Sequence, residues 1–213
     1  MDAMSTTSAT GWTIIVPVKP AAIGKTRLTG VSDREALARA LALDTIAAAA
    51  ATPRVSRVVV VTDDTEITHL VAQWPAVDVL TEGDVRGLDA AIARGAETAG
   101  RGAPRAALLG DVPALTPHDL DAALELADRV ERGLVPDAEG TGSTLVTARP
   151  GAVWVSAFGA DSAARHRLLG CADLAVPRDS TLRRDVDTAV QLAEAVALGV
   201  GPRTAAVLAA AAA

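Results

Sequence analysis

Apolar and polar positions alternate with two periods along this chain. Residues 12–18 form an unbroken, β-branched apolar run closed by Lys19-Pro20, and 55–62 contains four consecutive valines. Short apolar runs of this kind predict strands covered on both faces. Between them, 32–51 repeats apolar residues at helical spacing, with Ser32 placed to cap and Glu35 to complete a capping box. The same reading predicts a helix over 65–73, a strand over 77–80, a helix over 87–99 and a strand over 106–110. A helix then opens at Thr116, with Pro117 at its first position, and runs to about residue 131. Strand and helix alternate throughout, which implies a mostly parallel sheet with helices on both faces. Beyond Leu134 the pattern changes. Strands are predicted over 144–148 and 153–158 with a Pro-Gly turn between them, then a short helix ending at Gly170, a strand over 172–176 and a last helix over 188–198. The break suggests one half that holds a nucleotide and a second that holds its acceptor.

Composition sharpens the fold class. Apolar residues make up 50% of the 213 positions but aromatics only 2%, and tyrosine is absent. Alanine and small aliphatics must therefore fill the core, which favours helices on a sheet over an aromatic-rich sandwich. A net charge of −6 argues against a nucleic-acid or membrane surface, so any anion site must be a local positive focus. The single cysteine, Cys171, excludes an internal disulfide and a cysteine-rich zinc site, and reads as a buried, inert thiol. Residues 1–11 lack the charged and apolar regions of a signal peptide and read as a disordered tail. The alanine-rich end, 204–213, is too short to span a bilayer and reads as a second tail. A cytoplasmic protein is expected, with no nucleic-acid or membrane partner.

The two lysines supply that positive focus. Lys19 and Lys25 are the only lysines in the chain, and both lie, with Arg27, in the loop after the first apolar run. Ammonium groups are compact point charges suited to phosphate, whereas every other basic residue here is a forked arginine. The loop fits a polyphosphate site, and equally a solvated basic turn. Gly24-Lys25-Thr26 imitates the end of a P-loop, but Lys19 stands where that motif needs glycine, so the motif is rejected.

Carboxylates and glycine loops supply the rest. Asp111 follows the strand expected over 106–110, where ligands of open α/β sheets bind. Asp185 and Asp187 form an Asp-x-Asp pair that shares one face if extended. Three converging carboxylates need a cation between them, and Mg²⁺ with phosphate oxygens is the natural occupant. Singly, Asp111 also suits a turn and Asp187 a helix cap. Gly142-Ser143 and Gly159…Ser162 form a second set, in glycine loops that a ligand can approach closely, with Ser162 opening a helix. Arg165 and His166 follow one turn later, within reach of the same anion unless His166 is a surface residue. No histidine, serine or cysteine arrangement supports a protein nucleophile, which fits a substrate phosphate as the attacking group.

In order along the chain stand Val16-Pro17-Val18-Lys19, Gly24-Lys25-Thr26-Arg27-Leu28, Gly110-Asp111-Val112-Pro113-Ala114-Leu115, Gly140-Thr141-Gly142-Ser143-Thr144, Phe158-Gly159-x-Asp161-Ser162-x-x-Arg165-His166 and Asp185-Val186-Asp187-Thr188. Together they resemble the guanylyltransferases of coenzyme F420 biosynthesis, in particular the actinobacterial branch of the 2-phospho-L-lactate guanylyltransferase family that uses phosphoenolpyruvate. The resemblance runs from about residue 12 to residue 203. It implies a GT-A-like (Rossmann-like) nucleotidyltransferase fold in a single domain, 12–203, with Mg²⁺ as cofactor and GTP and phosphoenolpyruvate as substrates. The products would be enolpyruvyl-diphospho-guanosine, for hand-over to the next transferase of the pathway, and pyrophosphate. By the same resemblance Asp111, Asp185 and Asp187 would hold metal, Ser143, Gly159 and Ser162 would contact phosphoenolpyruvate, and Lys19, Lys25 and Arg27 would meet the GTP phosphates, with Lys19, Lys25 and Asp111 catalytic. Gly87 and Asp89 would border the base. Ser143 stands where relatives often have threonine, and Asp89 where they usually have asparagine.

Within that family, 2-phospho-L-lactate and 3-phospho-D-glycerate are alternative acceptors. A different GT-A nucleotidyltransferase, such as the molybdenum-cofactor type, would share the lysine loop but not the small anion pocket. A non-catalytic nucleotide-binding protein would not need the three carboxylates.

Overall fold

Seven strands form one sheet in the order β3-β2-β1-β4-β6-β5-β7 in the computed structural model, which describes residues 11–20, 33–84 and 86–211. The apolar runs become β1 (Trp12–Pro17), β2 (Val55–Val61), β3 (Val77–Leu80) and β4 (Arg105–Leu108), all mutually parallel. The strand after β1 lies on one side of it and β4 on the other, so a topological switch point falls between the ends of β1 and β4. Strands β6 (Ser143–Ala148) and β5 (Arg132–Pro136) continue the sheet, β6 running antiparallel to both β4 and β5. A two-residue strand, β7 (Ala172–Asp173), closes the edge beside β5.

Alternation along the strands sorts the core into two layers. Ile14, Val16, Val58, Val60, Ala106 and Leu108 pack with α1 (Arg34–Ala50), α2 (Thr65–Val71) and α4 (Pro117–Ala127). Their neighbours Ile15, Val59 and Val61 meet α3 (Leu88–Ala99) on the other face, and Ala107 packs there with Phe158 and with Ala163 of α5 (Ser162–Leu168). Gly95 lets α3 come close, since a Cβ there would lie 2.5 Å from Ile15.

Four expectations need correction. Residues 153–158 form no strand. Both edges of β6 are already taken, by β4 and β5, and the segment bonds to side chains instead. Ala157 N–H donates to His166, Phe158 N–H to Asp89, and Arg105 and Arg132 donate to the carbonyls of Ala152 and Val153. The strand β5, interrupted by Gly133, was not anticipated at all; its glycine makes room for Leu174, 2.7 Å from where a Cβ would sit. The α1 cap is Asp33, which accepts from Ala36 N–H, while Ser32 lies outside the described residues. The alanine-rich end is a helix, α7 (Pro202–Ala211), lying against α1. The buried Asp44 carboxylate caps it by accepting from Arg203 and Thr204 N–H. The N-terminal tail, residues 1–10, falls outside the described residues.

Candidate active site

The acidic side of the site is assembled by backbone lacing at the switch point. Gly110 brings the chain after β4 against the end of β1, where a Cβ would lie 3.0 Å from Pro17 O. Asp111 O then accepts from Val186 N–H at 2.9 Å, drawing Asp185 and Asp187 alongside Asp111. From the other direction, Arg183 ties in the β5–β6 loop: its guanidinium donates to Pro136 O and Asp137 O, and its own carbonyl accepts from Ala138 N–H. Ligand atoms of Asp137, Glu139 and Asp185 consequently lie within 4.8 Å of one another. Asp111 and Asp187 add their charge to the same place. Asp185 is pushed up to about 7, first by desolvation and then by the carboxylates of Asp111, Asp137 and Asp187. Its Oδ1 is sealed from solvent and finds no hydrogen-bond donor among the described residues.

Asp137 also organises the loop. Its two oxygens accept from Thr141 N–H at 2.9 Å and Gly142 N–H at 2.7 Å. Gly142 is required there, because a Cβ would fall 2.3 Å from Asp137 Oδ2. Asp187 is not the cap of the last-but-one helix, α6 (Ala189–Leu198); Thr188 is, in a capping box with Gln191. An all-oxygen carboxylate set with one member held back from ionising fits a hard divalent cation, which would replace the proton and relieve the repulsion. Asp137 and Glu139 were not anticipated from sequence. Asp137 did carry a signal, an aspartate four and five residues ahead of a glycine-rich turn whose amides it caps; Glu139 carried none.

Across the β5–β6 loop lies a polar network. Ser143 and Ser162 are buried, at 2% and 1% exposure, with their hydroxyls 3.3 Å apart. His166, expected to reach an anion or to face solvent, is instead fully buried behind them. Its Nδ1 lies 2.9 Å from Ser143 Oγ, and its Nε2 accepts from Ala157 N–H at 2.8 Å. Desolvation pulls the imidazole down to about 4, Asp89 opposing and Arg165 reinforcing the shift. Arg165 does not join the network; it donates to Phe158 O across the turn that carries Gly159, whose φ of +106° favours glycine. The Ser162 and Ala163 amides are committed to Gly159 O and Thr141 O. The two buried hydroxyls are what these two serine side chains can offer a ligand.

The third part is a small cleft at the end of β1, lined by Pro17, Val18, Lys19, Glu82, Gly87, Leu88 and Ala91. Lys19 is exposed there and its charge acts on Glu82, whose pKa burial and Asp63 raise. Asp89, in the first turn of α3, uses Oδ1 to accept from Phe158 N–H, so it braces the loop of the second part. The carbonyl of an asparagine would accept equally well. Lys25 and Arg27 lie outside the described residues.

A family profile described as "Guanylyl transferase CofC like" matches residues 12–207. The chain belongs to that family. It is 47% identical over 204 residues to the phosphoenolpyruvate guanylyltransferase of Streptomyces coelicolor, across 93% of this chain and 96% of that protein. The enzyme of the same name from Salinispora arenicola is 46% identical over 200 residues, covering 91% of this chain and 92% of that protein. Among solved structures, a putative nucleotide-diphospho-sugar transferase from Desulfovibrio desulfuricans superposes with a TM-score of 0.61 at 16% identity, over 88% of this chain and 96% of that one. A 4-diphosphocytidyl-2C-methyl-D-erythritol synthase gives 0.58 at 13% identity, over 89% and 99%. The fold is therefore the Rossmann-like nucleotidyltransferase fold, and the CofC-like member described here is an enzyme, a guanylyltransferase. Among its described residues no helix is long and apolar enough to cross a membrane.

Proposed function

We propose that this guanylyltransferase transfers GMP from GTP to phosphoenolpyruvate in the cytoplasm, giving enolpyruvyl-diphospho-guanosine and pyrophosphate for coenzyme F420 biosynthesis. The observation that carries the reading is that relatives 40–47% identical over nearly the whole chain bear the name phosphoenolpyruvate guanylyltransferase. In the reaction a phosphate oxygen of phosphoenolpyruvate attacks the α-phosphorus of GTP. The bond from that phosphorus to the bridging oxygen breaks, and its electrons leave with pyrophosphate. The attacking phosphate is already ionised near neutral pH, so no protein base is required.

The geometry supports a division of labour among named residues. Lys19 of the β1 cleft, with Lys25 and Arg27 of the same loop, neutralises the triphosphate, and Gly87 opens the helix that borders the base. Asp89, in the first turn of that helix, borders the base as well, while its Oδ1 braces Phe158 N–H of the acceptor half. Asp111, Asp185 and Asp187, joined by Asp137 and Glu139, would hold Mg²⁺. That ion, when bound, supplies positive charge to the phosphates and to the departing pyrophosphate. Ser143, Gly159 and Ser162 form the acceptor side, which takes a phosphate-plus-carboxylate acid. Incubating the purified protein with GTP and phosphoenolpyruvate, 2-phospho-L-lactate or 3-phospho-D-glycerate, with and without Mg²⁺, tests this. Pyrophosphate release with phosphoenolpyruvate foremost is expected; preference for another acid, or for another nucleoside triphosphate, would overturn it.

A further inference from the structure

The hydroxyl network of the second half contains one proton more than it can use. Ala157 N–H points at His166 Nε2, so that nitrogen must present a lone pair, and in a neutral ring the proton sits on Nδ1. Nδ1–H therefore donates to Ser143 Oγ. The Ser143 and Ser162 hydroxyls are linked to each other, and beyond these two links neither has a partner among the described residues. Three protons, on Nδ1, Ser143 and Ser162, thus serve two internal links. Whichever way the hydroxyls rotate, one proton is left over, on side chains that are buried. A buried donor without an acceptor is unfavourable, and a network that always points one donor outward suits an anion.

We propose that His166 is a positioning residue: its Nδ1–H, donating to Ser143, occupies the inward side of the Ser143–Ser162 pair and so turns the pair's spare proton toward an anionic group of the acid acceptor. This rests on the reading that the acceptor, a phosphate-plus-carboxylate acid, occupies this half of the site. Were His166 the other tautomer, it would clash with Ala157 N–H and the pair could satisfy itself against Nδ1, leaving no outward donor. Asp89 and Arg165 are the charged groups that act on the ring, and Phe158 packs edge-on against it at 4.8 Å. These contacts hold it in place without entering the proton chain.

Two near-isosteres separate the ring's two jobs. His166→Asn can place an amide N–H at the Nδ1 position and keep the donor to Ser143, while losing the acceptor for Ala157. His166→Gln can place a carbonyl at the Nε2 position and keep the acceptor, while losing the donor; the two hydroxyls still carry one spare proton, but nothing then fixes its direction. Initial rates of pyrophosphate release, varying one substrate at a time, should show KM for phosphoenolpyruvate raised roughly tenfold in His166→Gln but within about threefold in His166→Asn. KM for GTP should stay within about twofold in both. Ser143→Ala leaves the Ser162 proton equally without direction and should reproduce the glutamine effect, so combining Ser143→Ala with His166→Gln should add nothing further. Equal shifts in both substrates, an unchanged KM for phosphoenolpyruvate in His166→Gln, or additive effects in the double variant would overturn the proposal. If the histidine variants fail to fold, Ser143→Ala alone decides it: a selective rise in the phosphoenolpyruvate KM supports it and a parallel rise in both KM values overturns it. A wild-type enzyme that releases no pyrophosphate from this acid would instead sink the substrate reading, and this inference with it.

Discussion

At the scale of single residues, charge placement dominates this molecule. Asp185 sits half-buried among carboxylates and is driven up to about 7, an arrangement that is a burden to the fold. Asp185→Asn keeps the shape and removes one charge. It should lower turnover by about a hundredfold or more, the scale of losing one principal electrostatic contact, while leaving the melting temperature unchanged or higher. A variant that melts lower yet turns over normally would reassign Asp185 to structure. Lys19, exposed beside Glu82 at the end of β1, makes the converse case. Lys19→Met should raise KM for GTP by roughly tenfold, and Lys19→Arg should restore little of it, because a fork and an ammonium place charge differently. Full recovery in the arginine variant would show that any cation serves.

At the scale of elements, the turns and caps decide which side chains meet. The β5–β6 loop holds its shape through the two bonds that Asp137 accepts from Thr141 and Gly142. In Gly142→Ala the new Cβ would meet Asp137 Oδ2 at 2.3 Å, so the loop must open and both bonds weaken. We expect a loss of about 2–3 kcal/mol of stability, from the buried Asp137 carboxylate left short of its donors, together with a fall in activity as Asp137 and Glu139 leave Asp185. Chemical denaturation and the rate assay report the two effects separately. The cap of α7 is a second such case. Asp44→Ala should cost about 1–2 kcal/mol and speed amide exchange in α7.

This scale also shows what could be read in advance. The central strands were legible because a strand covered on both faces must be apolar throughout, and β3 falls where its pattern placed it. The convergence of Asp111, Asp185 and Asp187 was legible because an aspartate just past a parallel strand and an Asp-x-Asp pair both suit the end of an open α/β sheet. His166 was not. Its helix spans seven residues, too few for periodicity to assign a face, and its burial depends on the 153–158 segment folding back over it. Glu139 and β5 were hidden for a related reason: the antiparallel pairing of β5 with β6 is specified by contacts across the sheet, which no local pattern records.

For the whole molecule, the acidic cluster couples folding, protonation and metal binding. Folding raises the pKa of Asp185 from its ordinary 3.8 to about 7, so between those limits the folded chain holds a proton that the unfolded chain releases. The stability linked to that proton is complete below about pH 4 and is lost as pH rises through about 7. A divalent cation on the cluster takes the proton's place. It should therefore stabilise the fold most where the proton is absent, and binding at intermediate pH should release protons. Melting temperatures across this range, with and without Mg²⁺, for the wild type and Asp185→Asn, check the coupling. Without Mg²⁺ the wild type should lose stability with rising pH more steeply than the variant, and the Mg²⁺-dependent gain should grow with pH in the wild type and nearly vanish in the variant. Since all other titrating groups are common to both proteins, the difference between their slopes isolates Asp185. Parallel curves would mean that Asp185 shares its charge with neighbours too broadly to act as the switch, and that the metal, if bound, is held elsewhere.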